Sequence, residues 1–371
     1  MSADLLVAPV TITPTKPLTP THIKGLIWTD LMVKASAQLT GVRLVWNNRM
    51  ATVTVQSAAF WRHLDRTEPG VDWSGESEER IGERYVRFHA EPREPEPRAI
   101  REYLARADAD GWIHPAGRRM LSRWRRQLDL LGVDNPGLAD DRPLSMPARS
   151  LVQALAERDL LIDHCRFGGP VYLDGTRWGL PLRRLISADG IPNYLVPILR
   201  ELVPLIRPGR TFLLVHDDGI TADYVLLARV LGVFGARVTR VPLSRVSVDG
   251  RNLSSRYGGW KGVTLADLSA LPGTAGPDAY RLGMRLYFAG TLHQESAQSF
   301  RPELLRRCVG RAAGLLARAP SGSDAPTGPP LAASLSRLRA GRGYVDPYRL
   351  MTAVQGKRAL PLTPLLRTIC T

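Results

Sequence analysis

Cysteine is scarce in this chain. The 371 residues hold three, Cys165, Cys308 and Cys370, far apart and none in a CxxC pair. A zinc knuckle needs closely spaced ligands, so no metal site is expected. Reduced thiols in a cytoplasmic setting are the default expectation. No run of about 18 apolar residues occurs, so no membrane span and no membrane partner are expected. Met1 to Thr13 lacks a basic stretch followed by an apolar run, which argues against a signal peptide. No GxGxxG follows the first apolar segment, which argues against a plain dinucleotide-binding dehydrogenase. No internal repeat is visible. Acidic residues are also few: 35 Asp and Glu against 50 Lys and Arg leave a net charge of +15. From Phe300 onward 12 Lys and Arg face 3 Asp and Glu. Such a field suits an anionic partner such as tRNA, or belongs simply to an arginine-rich soluble protein.

What is present is enough for a large core, since 44% of residues are hydrophobic. Leu5 to Ile12 reads as a buried strand. A Pro/Thr-rich loop then leads to His22, and Ile23, Leu26, Ile27 and Leu31 recur at helical spacing. Val42 to Trp46 and Ala51 to Val55 read as further strands. Residues 65–100 are charged and Pro-rich, 98–131 helical and very basic, and 145–161 an amphipathic helix. Thr211 to His216 is a good buried parallel strand, followed by a helix over 220–233 and a strand over 236–241. Two strand–helix–strand units separated by a long insertion predict an α/β fold, a Rossmann-like doubly wound parallel sheet split by a helical insertion, with a C-terminal helical segment. The expected division is 1–95 and 206–265 for the two halves of the core, 96–205 for a largely helical insertion, 266–320 for a helical stem, and 321–371 for a linker and basic tail.

Two motifs carry a resemblance. Pro17-Leu18-Thr19-Pro20-Thr21-His22, after the first strand, resembles the Pro-x-His-x-Gly-His signature of class I aminoacyl-tRNA synthetases, most like the methionyl and leucyl enzymes. Thr19 stands for the first His and Thr21 for the Gly. Asp30 falls where several members place an acid. Residues 247–268 resemble the second signature, DGxKMSKSxGN. Asp249-Gly250 is retained, Asn252-Leu253-Ser254-Ser255-Arg256 stands on the five-residue motif, and both family lysines are replaced. Arg251 and Arg256 lie one residue away and could supply the lost charge. Colinear fragments at 131–161, 216–235 and 277–290 extend the likeness, and Trp178-Gly179-Leu180-Pro181 resembles a return segment into the sheet.

The resemblance implies a site for ATP, with Mg2+, and for an amino acid. His22, Thr19, Ser254, Ser255 and Arg256 would be catalytic. Pro17, Thr21, His216, Asp217, Asp218, Arg251, Asn252 and Leu253 would hold the nucleotide, Asp218 being favoured for the ribose. Trp46, Asn48, Arg49 and Asp223 would meet the substrate. Asn48 stands where the family holds the α-amine with an acid, and an amide binds ammonium less strongly. Plain structural readings stay open: His22 and Asp218 as helix caps, Trp46 as core, Cys165 as a structural thiol, the second motif as a glycine-rich loop.

The implied activity is formation of an aminoacyl-adenylate, with the acyl group passed to a small-molecule amine or hydroxyl in a biosynthetic pathway. Too few residues follow the helical stem for the usual anticodon-binding bundle. A pathway partner protein is a further expectation. Two alternatives remain: a tRNA-dependent enzyme gripping an acceptor stem with the basic helix and tail, and a non-catalytic nucleotide- or RNA-binding paralogue.

Overall fold

The computed structural model describes residues 4–91, 96–138, 140–251, 257–270, 276–295, 298–318, 331–341, 343–356 and 365–370. In chain order the main strands are β1 (Leu5–Pro9), β2 (Val42–Leu44), β3 (Leu161–Asp163), β4 (Val171–Leu173), β5 (Arg183–Ile186), β6 (Thr211–Asp217) and β7 (Arg237–Leu243). The central sheet is parallel, in the order β2-β1-β6-β7. Its two middle strands are near-continuous apolar runs because both faces are covered. Leu5, Val7, Leu213 and Val215 point into one core, while Leu6, Ala8, Phe212 and Leu214 point into the other.

The helices that connect these strands lie on opposite faces. Helix Pro20–Ala37 links β1 to β2 and packs in the first core; helix Thr221–Val233 links β6 to β7 and packs in the second. Right-handed crossovers place helices on opposite faces when the chain moves outward in opposite directions. The strand order therefore reverses between β1 and β6. Their carboxyl ends form the crevice where open α/β sheets bind ligands.

Helix Pro20–Ala37 is buried on nearly every side, by Ile23, Leu26, Ile27, Trp28, Leu31, Met32 and Ala35 among others. Its buried polar residues each have an assigned partner. Lys24 Nζ donates to the carbonyls of Ser244 (3.1 Å), His293 (2.8 Å) and Gln294 (3.4 Å). Asp30 accepts from Arg285 Nη2 at 2.7 Å and pairs with Lys34 at 3.1 Å. Arg285 also donates to the carbonyls of Leu131 and Gly132, at the end of helix Pro115–Leu131. Arg285 itself sits in helix Pro277–Arg285, which crosses helix Pro302–Arg318 closely; a Cβ on Gly283 would lie 2.6 Å from Val309 Cα.

Several segments differ from the sequence expectation. Ala51 to Val55, expected as strand, falls in helix Arg49–Thr52 and the start of helix Val55–Thr67. Thr54 caps the second, its Oγ1 accepting from the Ser57 backbone N–H at 3.3 Å. β-Branched residues here obey tertiary context over strand propensity. The charged 65–100 stretch contains helix Glu78–Ala90, capped by Ser77. The intervening region has four helices (Pro97–Asp110, Pro115–Leu131, Ala148–Ala156, Leu195–Leu202) but also the antiparallel sheet β3-β4-β5. Strands of three or four residues are too short to show a period in sequence.

Two turns of that small sheet are near copies. Asp163 and Asp174 each accept the backbone N–H two residues on, at 2.7 and 2.8 Å. Each turn closes on a left-handed glycine, Gly168 or Gly179, and stacks an arginine on an aromatic ring, Arg166 on Phe167 and Arg177 on Trp178.

The 320–330 linker lies outside the described residues. Beyond it, the stretch expected to form a basic tail is packed into the main core, which includes Val345, Leu350, Met351, Ile369 and Cys370. Ser36 Oγ accepts from the Val345 backbone N–H at 3.0 Å. Among the described residues no helix is long and apolar enough to cross a membrane.

Arg285→Met keeps most of the side-chain volume and removes its charge. It leaves Asp30 sealed with Lys34 as its remaining cation. Breaking a buried pair in this way costs about 3 kcal/mol, so denaturant unfolding should show a clear fall in midpoint; a loss within measurement error would mean that the pair does not hold the helices in place.

Candidate active site

A cleft of about 570 Å³ opens at the carboxyl ends of β1, β6 and β7. The chain leaving β1 supplies Val10 to Thr13 and Lys16. The start of helix Pro20–Ala37 supplies Thr21 and His22. The end of β6 supplies His216 and Asp217, and the end of β7 supplies Ser244 and Arg245. Trp46, Met50 and Gln56 line another side, and Tyr85, Tyr194 and Tyr224 complete it.

The helix start is built for donation. Thr19 is its N-cap, Pro20 occupies the first turn where no N–H is needed, and no acid lies in that turn. Thr19 and His22 form a reciprocal capping box. The Thr19 backbone N–H donates to His22 Nδ1 at 3.1 Å. A backbone N–H can only donate, so Nδ1 is the acceptor and the neutral ring carries its proton on Nε2. The helix dipole adds partial positive charge at the same place. Burial, then the charges of Lys16 and Arg245, push the His22 pKa down to about 3. His22 is thus a neutral N–H donor near neutral pH.

Lys16 lies over the Tyr85 ring, 5.1 Å from its centroid. Arg245 is held by Asp217, whose Oδ1 accepts from its Nη2 at 3.1 Å and Nε at 3.2 Å, and from the Gly219 N–H at 2.8 Å. The Val246 N–H donates to Thr21 Oγ1 at 3.0 Å, fastening the segment after β7 to the helix start. Next to Asp217, His216 donates from Nδ1 to the Asp217 carbonyl at 2.9 Å and stacks on Tyr224 at 4.5 Å. Its Nε2 is buried and has no hydrogen-bond partner among the described residues. Burial, above all, keeps that ring neutral by lowering its pKa.

The residues singled out from the sequence divide into distinct places. His22, Thr21, Trp46, His216 and Asp217 line the cleft. Thr19 acts on His22. Pro17 packs where helix Glu78–Ala90 comes close: a Cβ on Gly82 would lie 2.7 Å from Pro17 Cδ and from the Trp260 ring. Asn48, Arg49, Asp218, Asp223 and Arg251 are not among the residues that line the cleft. Asn48 gives its amide hydrogens to the carbonyls of Gly137, Leu138 and Asp140, and accepts from Trp46 Nε1 at 2.8 Å. Arg49 grips Asp141 through two bonds, at 2.8 and 2.9 Å, and reaches the Asp108 carbonyl. Asp218 is exposed just beyond β6. Asp223 accepts from Arg183 at 2.9 Å and from the Tyr194 hydroxyl, so it positions a cleft residue. Arg251 ends a tight turn in which Asp249 and Gly250 both have positive φ, and Ser299 Oγ accepts from the Gly250 N–H at 2.9 Å. Asn252, Leu253, Ser254, Ser255 and Arg256 lie outside the described residues.

Sequence reasoning missed Lys16, Arg245 and the three tyrosines. Lys16 is the one charged residue between β1 and helix Pro20–Ala37. Arg245 follows β7 at the same carboxyl edge where Asp217 ends β6. Applying the strand-end rule to every parallel strand would have picked it out.

No protein family matches this chain, and no curated protein does. Solved structures do. The chain is similar to the arginyl-tRNA synthetase of Thermus thermophilus, at 14% identity and a TM-score of 0.62, over 99% of this chain and 74% of that one. It is similar to that of Plasmodium falciparum, at 13% identity and TM-score 0.55, over 82% and 55%. A Campylobacter jejuni protein assigned as an arginyl-tRNA synthetase matches at 14% identity and TM-score 0.53, over 82% of this chain and 66% of that one. The chain thus spans between 55% and 74% of the length of these proteins. At such identities the likeness is one of fold, the class I synthetase fold with its Rossmann-like core. The motifs resemble methionyl and leucyl enzymes, whereas these structural likenesses run to arginyl enzymes.

The state of His22 leaves a trace in stability. Its folded pKa lies below the ordinary 6.5, so the unfolded chain binds the proton first. Its contribution is fully present above about pH 6.5 and is lost as pH falls toward about 3. In urea unfolding from about pH 7 to about pH 4, the parent should lose stability relative to His22→Gln; parallel curves would contradict the neutral imidazole.

Proposed function

We propose that this chain activates a carboxylic acid with ATP, forming an acyl-adenylate and releasing pyrophosphate, and passes the acyl group to a small amine or hydroxyl. The observation that carries this reading is the convergence of a neutral histidine donor, a helix N-terminus, Lys16 and Arg245 on one cleft at the switch point of the sheet. In the reaction the carboxylate oxygen bonds to the α-phosphorus, and the bond to pyrophosphate breaks. Negative charge grows on phosphoryl oxygens, which donors fixed beforehand stabilise best. His22 Nε2–H, Lys16 and Arg245 would serve there. Asp217 would act mainly by holding Arg245 in place, and the bare Nε2 of His216 would accept a hydrogen from the nucleotide or substrate. Volume and polarity suit a nucleotide. Mg2+ would be carried by the phosphates, since among the described residues no group of three metal-ligating side chains gathers. The named activity of the similar solved structures, synthesis of arginyl-tRNA from the amino acid and tRNA, is of the same reaction type.

A second reading is favoured by the exposed Arg118, Arg125 and Arg126 on helix Pro115–Leu131, together with the net charge of +15. On that reading the acyl acceptor is a tRNA acceptor stem, and binding weakens steeply with salt. The cytoplasmic setting and a pathway partner protein remain parts of the proposal.

ATP–pyrophosphate exchange with a panel of carboxylic acids, with and without bulk tRNA, tests both. Exchange without tRNA is expected, and His22→Ala should reduce it by roughly 100- to 1,000-fold, as removal of one charge-stabilising donor does. Exchange only with tRNA would move the conclusion to the second reading. ATP binding with no exchange would leave a non-catalytic nucleotide-binding paralogue.

A further inference from the structure

The charges around the cleft say what kind of acid fits, provided the activation reading holds. Among the described residues that line it, the cations are Lys16 and Arg245 and the one carboxylate is Asp217. Asp217 is already neutralised by Arg245, through contacts of 3.1 and 3.2 Å. Of the next carboxylates along the chain, Asp218 is exposed and does not line the cleft, and Asp223 is paired with Arg183 at 2.9 Å. The one carboxylate that lines the cleft therefore comes with its own arginine.

A guanidinium or ammonium at the far end of a substrate needs an unspent carboxylate once it leaves water. Without one, desolvation outweighs the attraction. The same lining offers a different partner in the apolar side chains of Val10, Ile12, Trp46, Met50, Val55 and Ile198. The positive charge suits phosphates and the reacting carboxylate, and these side chains suit hydrocarbon.

We infer that the acid activated in this cleft has an uncharged, largely apolar body, aliphatic or aromatic, and that basic amino acids are excluded.

The test uses the full chain in ATP–pyrophosphate exchange, reading kcat/KM for leucine, phenylalanine, tyrosine, phenylacetate and 4-methylpentanoate against arginine and lysine. At least one apolar acid is expected to exceed both basic amino acids by about 100-fold or more, the scale of discrimination when a polar group is left unpaired. Arginine or lysine at or above the best apolar acid would overturn the inference and leave the activation reading standing. Exchange with none of the acids, with ATP binding intact, would overturn both together.

Discussion

An ion pair sealed inside the protein, Asp30 with Arg285, governs how the functional end of the molecule is presented. Helix Pro20–Ala37 is apolar around almost its whole circumference. A helix of that kind has no preferred face, and hydrophobic burial alone would let it rotate or slide. Its polar residues remove that freedom. Lys24 must meet three carbonyls, Asp30 must meet Arg285, Lys34 must reach the carbonyl of Gly132, and Ser36 must accept from Val345. These partners come from several separate parts of the chain. One rotation and one height satisfy them all, and that setting brings His22 to the cleft. Burying the pair gains little net stability, since desolvation offsets attraction; its value lies in register.

The same logic separates the legible from the illegible parts of the sequence. The runs in β1 and β6, and the helix after each, announced the split parallel sheet, because strands buried on both faces must be apolar throughout. Thr21 and His22 were reachable through the signature run that leads into the first helix, and Trp46 through its place just after β2. Asn48 and Arg49 looked like substrate ligands from their place after β2. Their roles were decided by Gly137, Leu138, Asp140 and Asp141, about 90 residues away, and no local pattern records such partners. Arg285 gave no signal for a similar reason: as the last residue of an amphipathic helix it reads as a surface charge. The C-terminal stretch misled in the same sense. Its arginines suggest a solvated tail, yet Val345, Leu350, Met351 and Ile369 carry it into the core.

The cleft itself combines two materials. One side is set by backbone geometry, the end of a helix and the ends of parallel strands, which cost no side-chain ordering when charge develops. Much of the remaining lining is hydrocarbon. The neutral state of His22 links them: an imidazolium beside Lys16 and Arg245 would be repelled, and a neutral ring is left with a directed N–H. A lone donor of this kind tolerates variation around it, such as threonine at positions 19 and 21, provided that the cap holding the ring is kept.

The pairing of β1 with β6 also sets a schedule for synthesis. Leu5 finds its partner at Thr211, so the first strand leaves the ribosome with a neighbour about 200 residues still to come. At 5–20 residues per second that is a wait of roughly 10–40 s. During it, an apolar strand and the helix that follows it have β2 and the helices of the intervening region to lean on, but the open edge of β1 lacks β6. The nascent chain is therefore a natural client for a chaperone that shelters N-terminal apolar segments, and the demand for shelter ends when β6 arrives.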